Sequence, residues 1–208
     1  TAPFHEQWVR EALERELATL EGLNSRRDKW GNVSARLRRG QPKSPPIVFV
    51  AHLDHPGFLV ENTENNGLVS VIFEGGVADD FFKNSPVRLF RSPDDPGTPG
   101  VVEEMSVRKP DGDRNRHGLI RPKANADGCV LGMWDLPPMR IEGDILYGRV
   151  VDDLGGVASM LAALERLSQR KEPVDVIMFF TRAEEAGFRG ALLHCLDPDR
   201  DALIPNDS

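Results

Sequence analysis

Two strongly apolar runs, at residues 47–51 and 174–181, constrain the fold of this chain more than any other feature. Each is rich in β-branched and aromatic residues, which is typical of a strand buried on both faces. Helical periodicity is present at residues 5–20 and returns at 155–169. Because strands and helices alternate around these runs, we predict an α/β domain in which helices flank a sheet.

The segment between the two runs has a different character. Short apolar stretches there are broken by Gly, Pro, Asn and Asp, and about half of the 16 prolines lie between residues 59 and 146. This pattern, without helical periodicity, is typical of a small β-barrel or sandwich. We therefore predict a discontinuous α/β domain at residues 1–65 and 142–208, interrupted by a β-barrel-like domain at residues 66–141.

The composition argues against several classes of partner. The 208 residues carry 26 Lys and Arg against 33 Asp and Glu, a net charge of −7, whereas nucleic-acid binding needs clustered cations. A short basic run at Arg36, Arg38 and Arg39 is better explained as the solvent-facing side of a strand. No apolar stretch reaches the roughly 18 residues of a membrane span, and we expect no signal peptide. The two cysteines, Cys129 and Cys195, form no disulfide framework, so we expect a cytoplasmic location.

Each apolar run ends beside residues that can carry chemistry. His52 and Asp54 follow the first run, and Glu184 and Glu185 follow the second. Each motif is therefore expected at a strand end, where an α/β sheet binds its ligands. Histidine and carboxylates without cysteine suit a hydrolytic divalent-metal centre. Taken singly, the motifs have plainer explanations: a histidine satisfied at a strand end, and a solvated acidic loop.

A third motif, Asp152 and Asp153, precedes Gly155 at the start of a predicted helix. One carboxylate of such a pair can bridge two cations while its neighbour orients a ligand. The alternative is a pair of acids that stabilises the N-terminus of the helix, and the motif alone does not decide between them. Glu184 and Glu185 would repel each other without nearby positive charge. A metal ligand beside a general base explains that pair.

In this order, the three motifs resemble those of a known family, the co-catalytic di-zinc aminopeptidases. The likeness is greatest to the glutamyl and leucyl aminopeptidases that form tetrahedral twelve-subunit particles. It covers nearly the whole chain, including the β insert between His52 and Asp152 and the run Glu-Glu-Ala-Gly-Phe-Arg-Gly-Ala at 184–191. The stretch Gly-Met-Trp-Asp-Leu-Pro-Pro at 132–138, returning to Gly-Arg-Val-Val-Asp-Asp at 148–153, is similar to the family's exit from that insert.

The resemblance implies a three-layer α/β sheet with flanking helices, as in zinc exopeptidases, interrupted by a small all-β inserted domain. It implies two divalent metal ions, zinc foremost, with cobalt or manganese as alternatives. The implied activity is removal of N-terminal residues from peptide substrates through a metal-bridging hydroxide. Assembly into a homo-oligomer is implied as well, whereas nucleic acid and membrane are not expected as partners.

The same resemblance implies roles for individual residues. The implied metal ligands are His52, Asp152, which would bridge both ions, and Glu185. Glu184 would be the base that activates the bridging water. Asp54 would orient His52, and Asp153 would support the site from behind the ligands.

The chain also departs from the family's pattern, which needs a further acidic ligand on a strand soon after the Glu pair and a late histidine. Asp207 lies at roughly the right distance, but Pro-Asn-Asp-Ser at 205–208 is typical of a turn. No histidine follows His194, which is too close to Glu185 to replace the late ligand and is more typical of packing. The ligand set is therefore expected to be incomplete, and the activity of these 208 residues by themselves is in question.

Two other functions remain open at this point. A deacylase or carboxypeptidase of the wider di-metal clan would share the order of motifs. Such relatives typically carry their extra domain after the Glu pair, whereas here the β insert precedes Asp152. The other alternative is a non-catalytic scaffold that has kept the fold. Amide substrates with free and blocked N-termini would separate the two hydrolases, and tight stoichiometric zinc binding would count against the scaffold.

Overall fold

The computed structural model describes residues 1–106, 116–199 and 205, and within them the chain is a mixed α/β protein, as predicted. Its elements, in chain order, are α1 (Gln7–Leu17), β1 (Leu23–Arg27), β2 (Val33–Arg39), β3 (Ile47–His52), β4 (Gly57–Thr63), β5 (Val69–Glu74), a 3₁₀ turn (Asp79–Phe81), β6 (Pro86–Phe90), β7 (Thr98–Met105), β8 (Arg116–Pro122), β9 (Leu131–Trp134), β10 (Met139–Glu142), β11 (Ile145–Gly148), α2 (Val151–Ser168), β12 (Val174–Thr181) and α3 (Arg189–Leu196). No helix formed by these residues is long and apolar enough to cross a membrane.

The chain forms two compact units. One contains Thr1–Pro3 and His55–Arg149, and the other contains Phe4–Asp54 and Val150–Ser208. The boundaries differ from the predicted domain of residues 66–141, because β4 pairs with β5 and β9 and so belongs with the barrel strands. A barrel without β4 would expose the edges of those two strands, and closure removes such edges.

The α/β unit is built on a four-stranded sheet in the order β1-β2-β12-β3. Strand β2 is antiparallel to both of its neighbours, whereas β3 runs parallel to β12 in a register that pairs His52 with Thr181. The carboxyl ends of the two parallel strands therefore lie side by side. The core of this unit consists of buried residues from α1, β2, the end of β3, α2 and β12: Leu13, Leu17, Val33, Ala35, Leu37, Ala51, Leu53, Val157, Met160, Leu164, Val176, Met178 and Phe180.

Strand β12 is covered on both of its faces. Phe180 belongs to the core formed with α1 and α2. Phe179, which the pleat turns to the opposite face, contacts the His194 ring of α3, with ring centroids 4.4 Å apart. The predicted continuous burial of this run is thus observed.

Strand β3 behaves differently from β12. It lies at the edge of the sheet, and Ile47, Val48, Phe49 and Val50 are 60%, 49%, 45% and 58% exposed. Within the described residues, therefore, this run is not buried on both faces. Among these residues only β12 pairs with β3, and apolar composition does not distinguish a central strand from an edge strand.

The other unit contains a closed six-stranded antiparallel barrel in the order β4-β5-β8-β7-β6-β9. Four aromatic rings fill much of its interior, those of Phe58, Phe73, Phe82 and Trp134, with centroids between 4.7 and 6.3 Å apart. Tilted and edge-to-face contacts of this kind stabilise a core beyond simple area burial. The two-stranded β10–β11 hairpin belongs to the same unit.

Candidate metal centre

His52 occupies the carboxyl end of β3 and is buried there. Its Nδ1 lies 2.9 Å from the backbone carbonyl oxygen of Asp54, to which it donates. That hydrogen bond directs Nε2 towards two carboxylates, 3.0 Å from Oδ1 of Asp152 and 3.7 Å from Oε2 of Glu184. In the neutral imidazole this arrangement leaves the Nε2 lone pair available as a metal ligand.

The charges around His52 favour a cation at this position. Burial by itself lowers the pKa of His52, but the facing carboxylates of Asp54 and Asp152 outweigh it and raise the pKa to about 9. The protonated imidazole is therefore the favoured form in the metal-free site. A divalent cation would compete with that proton for Nε2.

Asp54 is fully buried and contacts both His52 and the glutamate loop. Its carboxylate accepts the backbone N–H of Glu184 at 3.0 Å and that of Glu185 at 3.1 Å. Burial alone would raise the pKa of Asp54, but His52 and these two N–H groups lower it overall. The carboxylate lies 3.6 Å from Nδ1 of His52, so the backbone carbonyl of Asp54 is the nearer group to that ring. The side chain itself bonds the glutamate backbone.

The two aspartates at the start of α2 have different surroundings. The Asp152 side chain is 86% exposed, and its Oδ1 faces Nε2 of His52. Asp153 accepts the backbone N–H of His52 and that of Gly156, both at 3.2 Å. The backbone departs from helical geometry at both aspartates, so Asp153 caps the regular part of the helix. One member of the pair thus has the capping geometry and the other faces the histidine.

Glu184 and Glu185 lie on the loop that follows β12. Burial raises the pKa of Glu185 first, and the charges of Glu184 and Asp54 raise it further. Ionisation of Glu185 is therefore disfavoured in the metal-free site, as expected where a carboxylate needs positive charge nearby.

The donor chemistry of these residues fits a divalent metal ion. One imidazole nitrogen and several carboxylates are a ligand set that zinc, cobalt and manganese accept. In the part of the chain that the structure describes, however, no three His, Cys, Asp or Glu side chains form a complete metal-binding cluster. Asp207, the candidate for a further acidic ligand, lies outside the described residues. The described residues therefore offer candidate donors without forming such a cluster.

Two further buried histidines have partners of their own. His194 is buried, stacks on Phe179, and its Nδ1 lies 3.1 Å from Oδ2 of Asp28, which is a packing role. His55, in the barrel unit, has Nδ1 placed 2.8 Å from the carbonyl oxygen of Pro56.

Two buried polar residues near the glutamate loop were not found from the sequence. Glu6 accepts the backbone N–H of Ala183 at 3.0 Å, and Asn32 accepts that of Arg182 at 3.1 Å. In the sequence, Asn32 is visible only as part of a Gly-Asn turn, and Glu6 only as an acid at the start of a helix. Since their partners are more than a hundred residues away, no local signal identifies this role.

Comparison with known proteins supports the resemblance seen in the motifs. The chain is 25% identical over 190 residues to the Escherichia coli (strain K12) protein SgcX, whose name describes a candidate aminopeptidase; the match covers 83% of this chain and 50% of SgcX. An aminopeptidase from the archaeon Desulfurococcus kamchatkensis is 26% identical, with a TM-score of 0.68 over 92% of this chain and 54% of that one.

A further solved structure, the TET1 peptidase of Pyrococcus horikoshii, shares the fold. It is 21% identical with a TM-score of 0.67, and the match covers 93% of this chain and 61% of that one. The chain thus spans about half of SgcX and somewhat more of the two solved structures. The family model for M42 glutamyl aminopeptidase matches residues 31–118 and 130–205. The resemblance is therefore confirmed, and the chain belongs to the M42 glutamyl aminopeptidase family.

Proposed function

We propose that this chain supplies part of the active site of a metal-dependent aminopeptidase that removes N-terminal residues from peptides. The observation that carries the proposal is the meeting of His52, Asp152 and Glu184 at the carboxyl ends of β3 and β12, with Nε2 of the histidine 3.0 and 3.7 Å from the two carboxylates. Membership of the M42 family supports this activity over that of a deacylase or carboxypeptidase. Because the chain spans about half of SgcX, the activity is proposed for the whole protein.

In this proposal His52, Asp152 and Glu185 would hold two divalent metal ions, zinc being the first candidate. When bound, such ions polarise the scissile carbonyl and lower the pKa of water. Glu184 accepts a proton from the attacking water and delivers it to the nitrogen of the leaving amine. Support for this role comes from Oε2 of Glu184, which faces the ligand nitrogen of His52.

Asp54 serves the reaction by orienting other groups. Its backbone carbonyl bonds Nδ1 of His52, and its carboxylate bonds the N–H groups of Glu184 and Glu185. A single buried residue therefore connects the histidine with the two glutamates. Asp153, which bonds the backbone of His52 and Gly156, supports the same end of β3.

We also infer that the α/β unit is a three-layer catalytic domain and that the barrel unit is inserted in it. The core shared by α1, α2 and Phe180 on one face, and the contact of Phe179 with α3, support the layers. The position of the larger segment of the barrel unit, His55–Arg149, between Asp54 and Val150 in the sequence supports the insertion.

Assembly into a homo-oligomer is a further part of the proposal. The TET1 peptidase of Pyrococcus horikoshii can assemble into a tetrahedron or a large octahedral shell. We expect a homo-oligomer here too, which light scattering after gel filtration would measure. We also propose a cytoplasmic location, because the two cysteines of the sequence form no disulfide framework.

The test is hydrolysis of aminoacyl-nitroanilides by the protein in its natural full length. We expect chelation to abolish activity, added zinc or cobalt to restore it, and N-acetylated substrates to be poor. We expect Glu184→Gln to lower kcat by about 10²- to 10⁴-fold, the usual contribution of a general base. Preference for blocked N-termini would favour the deacylase instead, and near-wild-type turnover of Glu184→Gln would contradict the role of the base.

A further inference from the structure

The loop that carries Glu184 and Glu185 is closed on itself by backbone hydrogen bonds. The N–H of Gly190 donates to the carbonyl of Arg182, and the N–H of Arg189 donates to that of Ala183, both at 3.0 Å. Between these closures stand the two glutamates. The backbone of residues 182 to 185 therefore sets the direction in which each glutamate side chain leaves the loop.

Four successive N–H groups of this loop donate to buried side-chain oxygens. Asp54 accepts those of Glu184 and Glu185, as described above. Glu6, only 1% exposed, accepts the N–H of Ala183. Asn32, 0% exposed, accepts the N–H of Arg182. Three residues remote from one another in sequence thus fix the whole backbone leading to the candidate ligands.

Asn32 also fixes the far end of the loop. Its Nδ2 donates to the carbonyl of Gly190 at 3.0 Å and to Oδ2 of Asp28 at 2.7 Å. These two acceptors determine which end of the side-chain amide is oxygen, so Oδ1 faces the N–H of Arg182. One buried amide therefore joins both ends of the loop.

Glu6 binds the loop through both of its carboxylate oxygens. Oε1 accepts from Ala183, and Oε2 accepts from Nε of Arg182 at 3.0 Å. Ala183 is fully buried and has a φ of 52°, a left-handed conformation that is unfavourable for any residue but glycine. Such a conformation is sterically strained and persists where the surrounding structure holds the backbone in place. The hydrogen bonds of Glu6 and Asn32 hold the backbone in this conformation.

We infer that Glu6 and Asn32 are positioning residues of the metal centre, which set the directions of the Glu184 and Glu185 side chains by holding the Arg182–Ala183 backbone. The inference rests on the proposed metal role of the glutamate pair. Neither residue touches the metal or the substrate in this account. Both act through the loop, as outer partners of metal ligands do in other proteins.

The experiment measures cobalt binding and amide hydrogen exchange on the protein in its natural full length. Cobalt is titrated into metal-free protein and followed by visible absorption, and exchange is followed at Ala183, Glu184 and Glu185 in the metal-free state. The variants are Glu6→Met, which removes every acceptor, and Glu6→Gln, which keeps an acceptor for Ala183 but places an amino group against Arg182. Asn32→Asp keeps the acceptor for Arg182 and loses the donor to Gly190.

The matched control is Glu14→Gln, because Glu14 also accepts two hydrogen bonds from an arginine, at 2.8 and 2.5 Å from Arg27, but at an exposed position away from the loop. We expect Glu6→Met and Asn32→Asp to weaken cobalt binding about 10- to 100-fold, the range found for outer partners of metal ligands. Exchange at the three loop amides should accelerate in both. Glu6→Gln should be intermediate, and Glu14→Gln should match the wild type.

A merely structural role would lower the unfolding temperature without these two effects. A folded Glu6→Met protein with wild-type cobalt affinity and wild-type exchange at 183–185 would overturn the inference. If Glu6→Met does not fold, Glu6→Gln takes its place. Wild-type cobalt affinity together with wild-type exchange at 183–185 in Glu6→Gln would then overturn the inference. Failure of the wild-type protein itself to bind cobalt would instead remove the proposed function, so the two failures are distinguishable.

Discussion

The two sides of the candidate site are held to very different degrees. On the β12 side, the backbone N–H groups of residues 182 to 185 all donate to buried side-chain oxygens. On the α2 side, the Asp152 side chain is 86% exposed and faces Nε2 of His52. The backbone that carries the glutamates is therefore held by the protein itself, whereas the side chain of Asp152 is largely open to solvent. Preorganisation of this kind lowers the cost of binding.

The largest effect on stability is expected when Asp54, which holds the glutamate loop, is replaced. In Asp54→Asn, one of the two loop N–H groups faces an amino group instead of an oxygen and is left unsatisfied in a buried position. We expect a loss of about 2 to 3 kcal/mol in the free energy of unfolding, measured by urea denaturation of metal-free protein. Glu14→Gln is the control, at below about 1 kcal/mol because its ion pair is exposed. An equal loss in the two variants would remove the distinction between fixed and exposed carboxylates.

A second prediction concerns pH, because His52 connects the two sides. Its pKa of about 9 in the folded protein lies above the ordinary value of 6.5. The resulting stabilisation is fully present below pH 6.5 and is lost as the pH rises through 9. We expect metal-free protein to lose about 1 to 3 kcal/mol between pH 6 and 9.5 through this residue. The measurement is urea denaturation at both pH values, compared with His52→Gln, and identical pH dependence in the two proteins would contradict it.

A smaller loss is expected for Asp153→Ala, which removes the link between the end of β3 and the first turn of α2. The variant loses hydrogen bonds to the N–H groups of His52 and Gly156. The cost should be about 1 kcal/mol, the usual value for a helix cap. Urea denaturation measures it, and a loss as large as that of Asp54→Asn would mean that the α2 side is as firmly held as the loop.

The smallest effect on stability is expected for Asp152→Asn. An exposed side chain of this kind contributes within about 0.5 kcal/mol to folding, yet as a proposed ligand it should matter for metal. We expect cobalt affinity to fall at least about tenfold while the urea midpoint stays at the wild-type value. Unchanged cobalt affinity would exclude Asp152 from the metal centre.

Much of the site can be predicted from local sequence. His52, Asp152 and the two glutamates each follow a strand or begin a helix, and such patterns depend on neighbours in the chain. The partners of the glutamate loop cannot be found in this way, because Glu6 and Asn32 lie 177 and 150 residues from the N–H groups that they accept. A buried hydrogen bond between such distant residues leaves no periodicity in either segment.

The fold shows the same division between local and remote information. The apolar run of β12 and the helical pattern of α2 predict the observed elements, since both depend on local periodicity. The burial of β3 depends on which segment pairs with its outer edge, and the barrel boundary depends on which strand closes the ring. Composition determines neither of these.

The most direct test of the account is the location of zinc in crystals of the full-length protein, by anomalous scattering at the zinc absorption edge. We predict a peak about 2.0 to 2.2 Å from Nε2 of His52 and from a carboxylate oxygen of Asp152, with Glu185 on the same ion or on its neighbour. Glu184 should lie beside the metal without binding it. Zinc bound only at other residues, with no peak near Nε2 of His52, would contradict the proposed metal centre.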